Sequence, residues 1–233
     1  MFQLIKRTAD FTLALLLLLV LSPLLIPIVI GLKLTGEGEV FYLQDRVGYK
    51  NRMFKVYKFA TMLKNSPNMK GGAITMRNDP RITPMGGFLR KTKINELPQL
   101  LNVLFGDMSF VGPRPVMMKQ SFEHYPPDVQ AVIYNVKPGV TGIGSVIFRD
   151  EEAMITRANE LGLNPRAFYT DWIYPYKGEL EKWYQANQSF WVDTKILFLT
   201  AWHIVFPDSE LAYRFFPALP RRDLLREAQQ HST

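Results

Sequence analysis

The sequence predicts an α+β fold, mostly helical with a small β-hairpin, joined to an N-terminal membrane element. Three observations predict it: an uncharged apolar run from Phe11 to Leu32, two strand-like runs between residues 37 and 60, and helical spacing of apolar residues through much of the remaining chain. With 233 residues and 47% hydrophobic content, the chain has material for one large domain. The net charge of +7 suits an anionic partner: nucleic acid, a phosphorylated small molecule or an anionic lipid surface. The apolar N-terminus argues against nucleic acid. The absence of cysteine excludes a disulfide framework and a thiolate metal site.

The run FTLALLLLLVLSPLLIPIVIGL is as long as the roughly 20 apolar residues that span a bilayer. Lys6 and Arg7 before it resemble the basic start of a signal peptide, but the run is long and no small-x-small site precedes Lys33. An ordinary transmembrane helix satisfies the length. Two features favour a re-entrant helix-break-helix instead. Ser22 and Pro23 sit mid-run with Pro27 a turn later, and proline removes a backbone donor. Basic residues flank both ends, with Lys33, Arg46, Lys50, Arg52 and Lys55 after the run, which suits both ends on the cytoplasmic face. Ser22 is a candidate partner for a carbonyl freed at the break.

Two short strands, Val40 to Leu43 and Phe54 to Phe59, flank a polar turn with Gly48 and Asn51, which reads as a hairpin. Ser66 to Pro84 holds five Pro and Gly residues and reads as loop. Leu97, Leu100, Leu101, Leu104 and Phe105 then recur at helical spacing, with Asn95 as the expected N-cap and Pro98 in the first turn, which sets Glu96 at a helix N-terminus. Helices are expected over Glu151 to Leu161 and Lys177 to Asn187. Ser189 to Pro207 is too short and too charged to span, and its Trp and Phe content suits either a helix at the membrane interface or a core helix. The expected organisation is a re-entrant segment 1–36, a cytosolic domain 37–207 that includes the interfacial helix 189–207, and a basic tail 208–233.

The stretch Asp79 to Pro115 packs cations, carboxylates and turn residues beside an apolar amphipathic segment. Arg90 lies just before the helix, and prolines on both sides of Arg114 hold its guanidinium ready for bidentate phosphate contact. Glu96 suits Mg²⁺, which takes one or two protein carboxylates plus substrate phosphates. NELPQL and GDMSFVGPRP make the stretch resemble the catalytic centre of the bacterial monotopic phosphoglycosyl transferases, within the bacterial sugar transferases, and the likeness runs from Lys6 to about Phe206. That resemblance implies transfer of a phosphosugar from a nucleotide diphosphate sugar, a UDP-sugar, to undecaprenyl phosphate with release of UMP. It also implies work in surface-glycan assembly on the cytoplasmic face of the bacterial inner membrane, and a Ser-Pro break in a re-entrant helix. Carried over residue by residue, it implies catalytic roles for Lys58, Glu96 and Asp193, Mg²⁺ at Glu96, and phosphate or nucleotide contacts at Arg90, Pro113, Arg114 and Arg149.

Three positions depart from the family's pattern. Asn95 stands where the family has its nucleophilic Asp, Ala60 where it often has a base, and IGSVIFRDEE where it usually continues WAQVNGRN. A neutral amide is too poor a nucleophile to form an acyl phosphate. Four routes remain: Glu96 attacks, one of Asp150, Glu151 and Glu152 replaces the missing acid, the lipid phosphate attacks directly, or the form is inactive. Asp150 to Glu152 also read as an ordinary acidic helix start. The competing function is a membrane scaffold or regulator that keeps the fold. The aromatic interfacial helix suits a second copy of the chain as well as a lipid bilayer. Sugar selectivity is assigned to Ser121–Asn135 or Ala153–Tyr176.

Overall fold

The computed structural model describes residues 2–35, 37–66, 69, 79–118, 122–207 and 209–231. It is mostly helical with small β elements, as expected, and forms two compact units. The larger comprises Met1–Lys6, Arg46–Phe54 and Asp107–Thr233; the smaller comprises Arg7–Asp45 and Lys55–Gly106. Most of the loop expected over Ser66–Pro84 lies outside the described residues.

Helix α1 (Phe2–Leu34) runs through Pro23 and Pro27 without interruption. Its 33 residues extend about 50 Å at 1.5 Å per residue, more than the roughly 30 Å of a hydrocarbon core. Among the described residues it is the one helix long and apolar enough to cross a membrane. Pro23 cannot donate to the carbonyl of Leu19, and the Ser22 hydroxyl donates to that oxygen at 2.7 Å instead. Leu16, Leu19, Val20, Ile26 and Ile30 are exposed, while Ile28 and Leu32 pack with Phe59 and Leu89 as the apolar core of the smaller unit.

Strands β1 (Phe41–Val47) and β2 (Met53–Phe59) form the expected hairpin. The first strand runs four residues past its expected end at Leu43. The turn is tight because Lys50 and Asn51 take positive φ.

In the smaller unit a further helix, α2 (Pro84–Lys91), starts at Pro84, the last breaker of the stretch read as loop. Thr83 caps it, accepting from the Gly86 N–H at 3.1 Å, and Pro84 occupies the first turn where no donor is needed. A Cβ on Gly86 would lie 2.1 Å from the Thr61 carbonyl, so the glycine permits close backbone approach. A 3₁₀ turn over Ile94–Glu96 precedes α3 (Gln99–Phe105), whose N-cap is Pro98. Asn95 is therefore not the N-cap, and Glu96 lies in the turn rather than at the helix start: Pro98 stops the backbone bonding from continuing between them. Arg7 donates to the Val103 and Leu104 carbonyls, closing the C-terminal end of α3.

In the larger unit, β3 (Ser109–Val111) and β4 (Gly139–Thr141) pair in parallel, Ser109 opposite Gly139 and Val111 opposite Thr141. The crossover carries α4 (Pro127–Val132). Then follow α5 (Ile143–Ile147), α6 (Glu151–Glu160), α7 (Pro165–Phe168), a π turn over Tyr169–Ile173, α8 (Tyr174–Asn187) and α9 (Phe190–Val205). The core joins Val47, Phe122, Val129, Ile133, Tyr134 and Tyr174. On α9, Asp193, Ile196, Leu199 and His203 face inward, while Phe190, Trp191, Leu197, Phe198, Ile204 and Val205 are exposed. One helix thus serves the core and leaves an apolar surface outside.

The stretch read as a basic tail carries two helices, α10 (Leu211–Phe215) and α11 (Leu224–His231). Ala212, Phe216, Leu219, Leu224 and Ala228 are buried there, and Arg222 pairs with Glu179 and Glu227. Arg222 thus serves pairings inside the larger unit that the charge of a basic tail does not reveal.

Candidate active site

In the smaller unit, the Lys58 Nζ lies 4.0 Å from the Glu96 carboxylate, and both side chains keep partial solvent access. Two local structures produce this pair. Lys58 rides on β2, whose backbone is gripped by the buried Asn102 of α3: the Tyr57 N–H donates to Asn102 Oδ1 at 2.9 Å, and Asn102 Nδ2 donates to the Lys55 carbonyl at 2.8 Å. Glu96 rides on the 3₁₀ turn just before α3. That turn starts at Lys93, which holds a left-handed conformation at φ 60°, unusual for a residue with a Cβ.

Asn95 is buried, and its Oδ1 has no protein hydrogen-bond partner. Arg90 is half-buried in the last turn of α2. The smaller unit thus brings together Lys58, Asn95 and Glu96, with Arg90 one turn upstream in sequence. The donors fit a hard divalent cation: Glu96 supplies a carboxylate, and Asn95 supplies an amide oxygen lacking a protein donor. Among the described residues no group of three or more His, Asp or Glu side chains converges.

In the larger unit, Arg114 projects from a locked loop: its side chain is exposed while Gly112, Pro113 and Pro115 are buried. The Gly112 N–H donates to the Thr141 carbonyl at 2.9 Å, Gly139 N–H to the Pro113 carbonyl at 2.8 Å, and the Tyr134 hydroxyl to the Arg114 carbonyl at 2.7 Å. A Cβ on Gly112 would come within 2.4 Å of the Lys137 carbonyl. Such a loop fixes the backbone from which the Arg114 side chain extends, so little backbone freedom is left to lose on binding.

Asp193 is buried. Lys6 Nζ donates to its carboxylate and, at 2.9 Å, to the Val111 carbonyl. The Tyr184 hydroxyl lies 2.8 Å from Asp193 Oδ1 and 3.2 Å from the same carbonyl. Three elements therefore converge on the residue that precedes the Arg114 loop. Lys6, read in the sequence as a basic flank, and Tyr184, unremarked there, carry no signal of this: the knot joins residues up to 187 positions apart.

Arg149 and Asp150 are exposed at the start of α6. Asp150 caps that helix, accepting from the Ala153 N–H at 3.2 Å. Glu151 pairs with Lys177 at 2.7 Å. The side chain of Glu152 lies outside the described residues. The acidic run thus includes the helix start expected of it, with one member drawn into a half-buried ion pair that sequence reading missed.

The chain was compared with known proteins. It is 36% identical over 204 residues to the undecaprenyl-phosphate glucose phosphotransferase of Komagataeibacter xylinus, covering 84% of this chain and 35% of that protein. It is 35% identical over 212 residues to the undecaprenyl-phosphate galactose phosphotransferase of Salmonella typhimurium, covering 84% and 40%. It is 40% identical over 147 residues to the exopolysaccharide production protein PSS of Rhizobium leguminosarum bv. phaseoli, covering 61% and 73%. Against the first two, this chain spans well under half the length of the relative. The profile described as "Bacterial sugar transferase" matches residues 1–207, and with it the chain belongs to the bacterial sugar transferase family.

Proposed function

We propose that this protein transfers a phosphosugar from a UDP-sugar to undecaprenyl phosphate, giving the polyprenyl-diphosphate sugar and UMP. The observation that carries this reading is the Lys58–Glu96 pair beside the buried Asn95, in a chain of the sugar transferase family. The names of the relatives support the choice of lipid acceptor. The helix Phe2–Leu34 sits in the membrane as a re-entrant element that turns at Ser22-Pro23 while staying helical, with the catalytic domain on the cytoplasmic face; the Ser22–Leu19 hydrogen bond, which replaces the donor missing at Pro23, supports this reading. The exposed aromatic face of α9 lies at the membrane interface.

Phosphoryl transfer depends mainly on positioning and on neutralising charge. Arg114 and Arg149 bind phosphate oxygens through their guanidinium forks, Arg90 does the same from α2, and Lys58 offsets charge that develops as UMP departs. Glu96, with the Asn95 amide oxygen, holds Mg²⁺, which when bound neutralises the diphosphate. Asp193 acts as a positioning residue through Lys6, Tyr184 and the Val111 carbonyl.

The attacking group is the lipid phosphate itself. Its oxygen forms a bond to the β-phosphorus as the bond to the bridging oxygen breaks, and UMP leaves with that oxygen. Three observations support direct attack over a protein nucleophile: position 95 carries an amide, Asp150 caps α6, and Glu151 is paired with Lys177. The competing reading, a membrane scaffold without turnover, is favoured by Asn95 alone.

The test is UMP release by purified protein with Mg²⁺ and a panel of UDP-sugars, with and without undecaprenyl phosphate. Release that requires the lipid is expected, and Lys58→Met and Glu96→Gln should each cost about 10²-fold or more. A stoichiometric burst without lipid would point to a protein nucleophile. No release with any sugar would leave the scaffold.

A further inference from the structure

Lys177 on α8 sits in a buried polar cluster that the proposed chemistry does not use. Its Nζ lies 2.7 Å from Glu151 Oε2 and donates to the Tyr169 hydroxyl at 3.1 Å. It also lies over the Phe148 and Tyr169 rings, 5.0 and 5.2 Å from their centroids. One helical turn on, Glu181 is 4% exposed. Its carboxyl accepts from the Gly144 N–H, and a Cβ at position 144 would come 2.7 Å from its Oε1, so the glycine admits the carboxyl against the backbone. Glu181 Oε2 and Glu151 Oε1 are both buried without a protein hydrogen-bond partner. Arg114 is near enough for its charge to disfavour protonation of Lys177 and to favour ionisation of Tyr169.

A carboxyl group placed only for packing has its acceptors satisfied, because an orphaned buried oxygen loses its hydration without replacement. Here two carboxyls around one lysine each leave an oxygen over. The charges restrict what completes them. Lys177 and Arg114 disfavour a cation, and the carboxylate of Glu151 together with the burial around Glu181 disfavours an anion. Neutral hydroxyl groups remain. A phosphosugar brings hydroxyls joined to the phosphate that an arginine takes.

We propose that Glu151, paired with Lys177, and Glu181, one helical turn beyond that lysine, form the sugar subsite: their carboxyl oxygens take hydroxyl groups of the phosphosugar whose phosphate lies at Arg114. This rests on the reading of Arg114 as a phosphate ligand. Glu151, about a quarter exposed, is the side through which the sugar reaches the cluster, and Glu181 closes it from behind. The pair distinguishes sugars by the placement of their hydroxyls.

The test is calorimetric binding, with Mg²⁺, of UDP, UDP-glucose, UDP-galactose and UDP-N-acetylgalactosamine to wild type, Glu151→Gln, Glu151→Asp and Glu181→Gln. Thermal unfolding checks that each variant is folded, and the conservative Glu151→Asp keeps the charge while withdrawing the oxygens by one methylene. Wild type should prefer one sugar. Each folded variant should lower that preference about tenfold or more with the affinity for UDP itself unchanged. Wild-type ratios in both folded Glu151 variants would overturn the subsite, as would a wild type that binds all three sugars no better than UDP. If wild type does not bind UDP at all, the reading of Arg114 falls and takes the subsite with it, an outcome distinct from UDP binding without sugar discrimination.

Discussion

Asn102 holds the backbone of Tyr57: its carboxamide oxygen takes the Tyr57 N–H while its amide donates to the carbonyl of Lys55. The grip sets β2 against α3 and so sets Lys58 against Glu96. Replacing it by Leu leaves a half-buried N–H and carbonyl without their protein partner, each costing about 1–2 kcal/mol because water still reaches them in part. Asn102→Leu should therefore lower stability by roughly 2–4 kcal/mol and reduce UMP release in the surviving folded fraction, measured by denaturant titration beside the release assay. Full activity in a destabilised but folded Asn102→Leu protein would separate the grip from the Lys58–Glu96 pair.

Direct attack by the lipid phosphate makes a definite statement about position 95. Asn95→Asp should give turnover equal to or below wild type, because a carboxylate there repels the incoming phosphate, and should give no UMP burst without lipid. A gain of several powers of ten, about 1.4 kcal/mol of barrier for each, would instead show that the site is built for an acid nucleophile.

The Lys6–Asp193–Tyr184 knot predicts an asymmetric mutant series. Lys6→Met leaves the Asp193 carboxylate buried and uncompensated, so a loss of about 3–5 kcal/mol is expected, whereas Lys6→Met with Asp193→Leu should recover much of it. Tyr184→Phe removes one hydrogen bond and should cost about 1 kcal/mol. Since the knot acts on the Arg114 loop through the Val111 carbonyl, Tyr184→Phe should raise KM for the UDP-sugar more than it lowers kcat. An equal fall in both kcat and kcat/KM would place Asp193 at the reacting atoms instead.

Burial pushes the Glu181 carboxyl up to about 8, against the opposing pull of Lys177 and the Gly144 N–H; its ordinary value is 4.5. Between these values the folded protein keeps a proton that the unfolded chain has lost. Stability must therefore decline as pH rises from about 4.5 to about 8 and flatten beyond, by at most about 1.4 kcal/mol per pH unit. Thermal unfolding midpoints between pH 5 and 9 should show the slope, and Glu181→Gln should flatten it. An unchanged slope would assign the pH dependence to other groups.

The re-entrant reading can be tested because the chain has no cysteine. Gln3→Cys and Glu37→Cys, made singly, should both react with an impermeant thiol reagent from the cytoplasmic side only. Adding Pro23→Leu restores the missing backbone donor and should move one of the two to the opposite side. Labelling of the two single cysteines from opposite faces in the Pro23 protein would make α1 a plain transmembrane span.

By itself the sequence determined the local features. The uncharged run around Ser22 and Pro23, the hairpin, the helices after Asp150 and before Gln188, and the motif that carries Glu96 and Arg114 all depend on residues close along the chain, where periodicity and turn chemistry speak directly. It failed where distant neighbours compensate a local signal. Pro84 looks like a breaker, yet a cap at Thr83 and the close approach of Gly86 to Thr61 make it the start of a helix. Three-residue strands such as Ser109–Val111 are too short to show a period, and the arginines after Asp208 look like a tail until acids such as Glu179 pair with them. Only the tertiary structure decided that Asn102 positions Lys58, that Lys6 and Tyr184 meet Asp193 at the Val111 carbonyl, and that Glu151 pairs with Lys177. Each of these joins segments far apart in the chain, and such pairings come from the packing of the fold rather than from the order of residues.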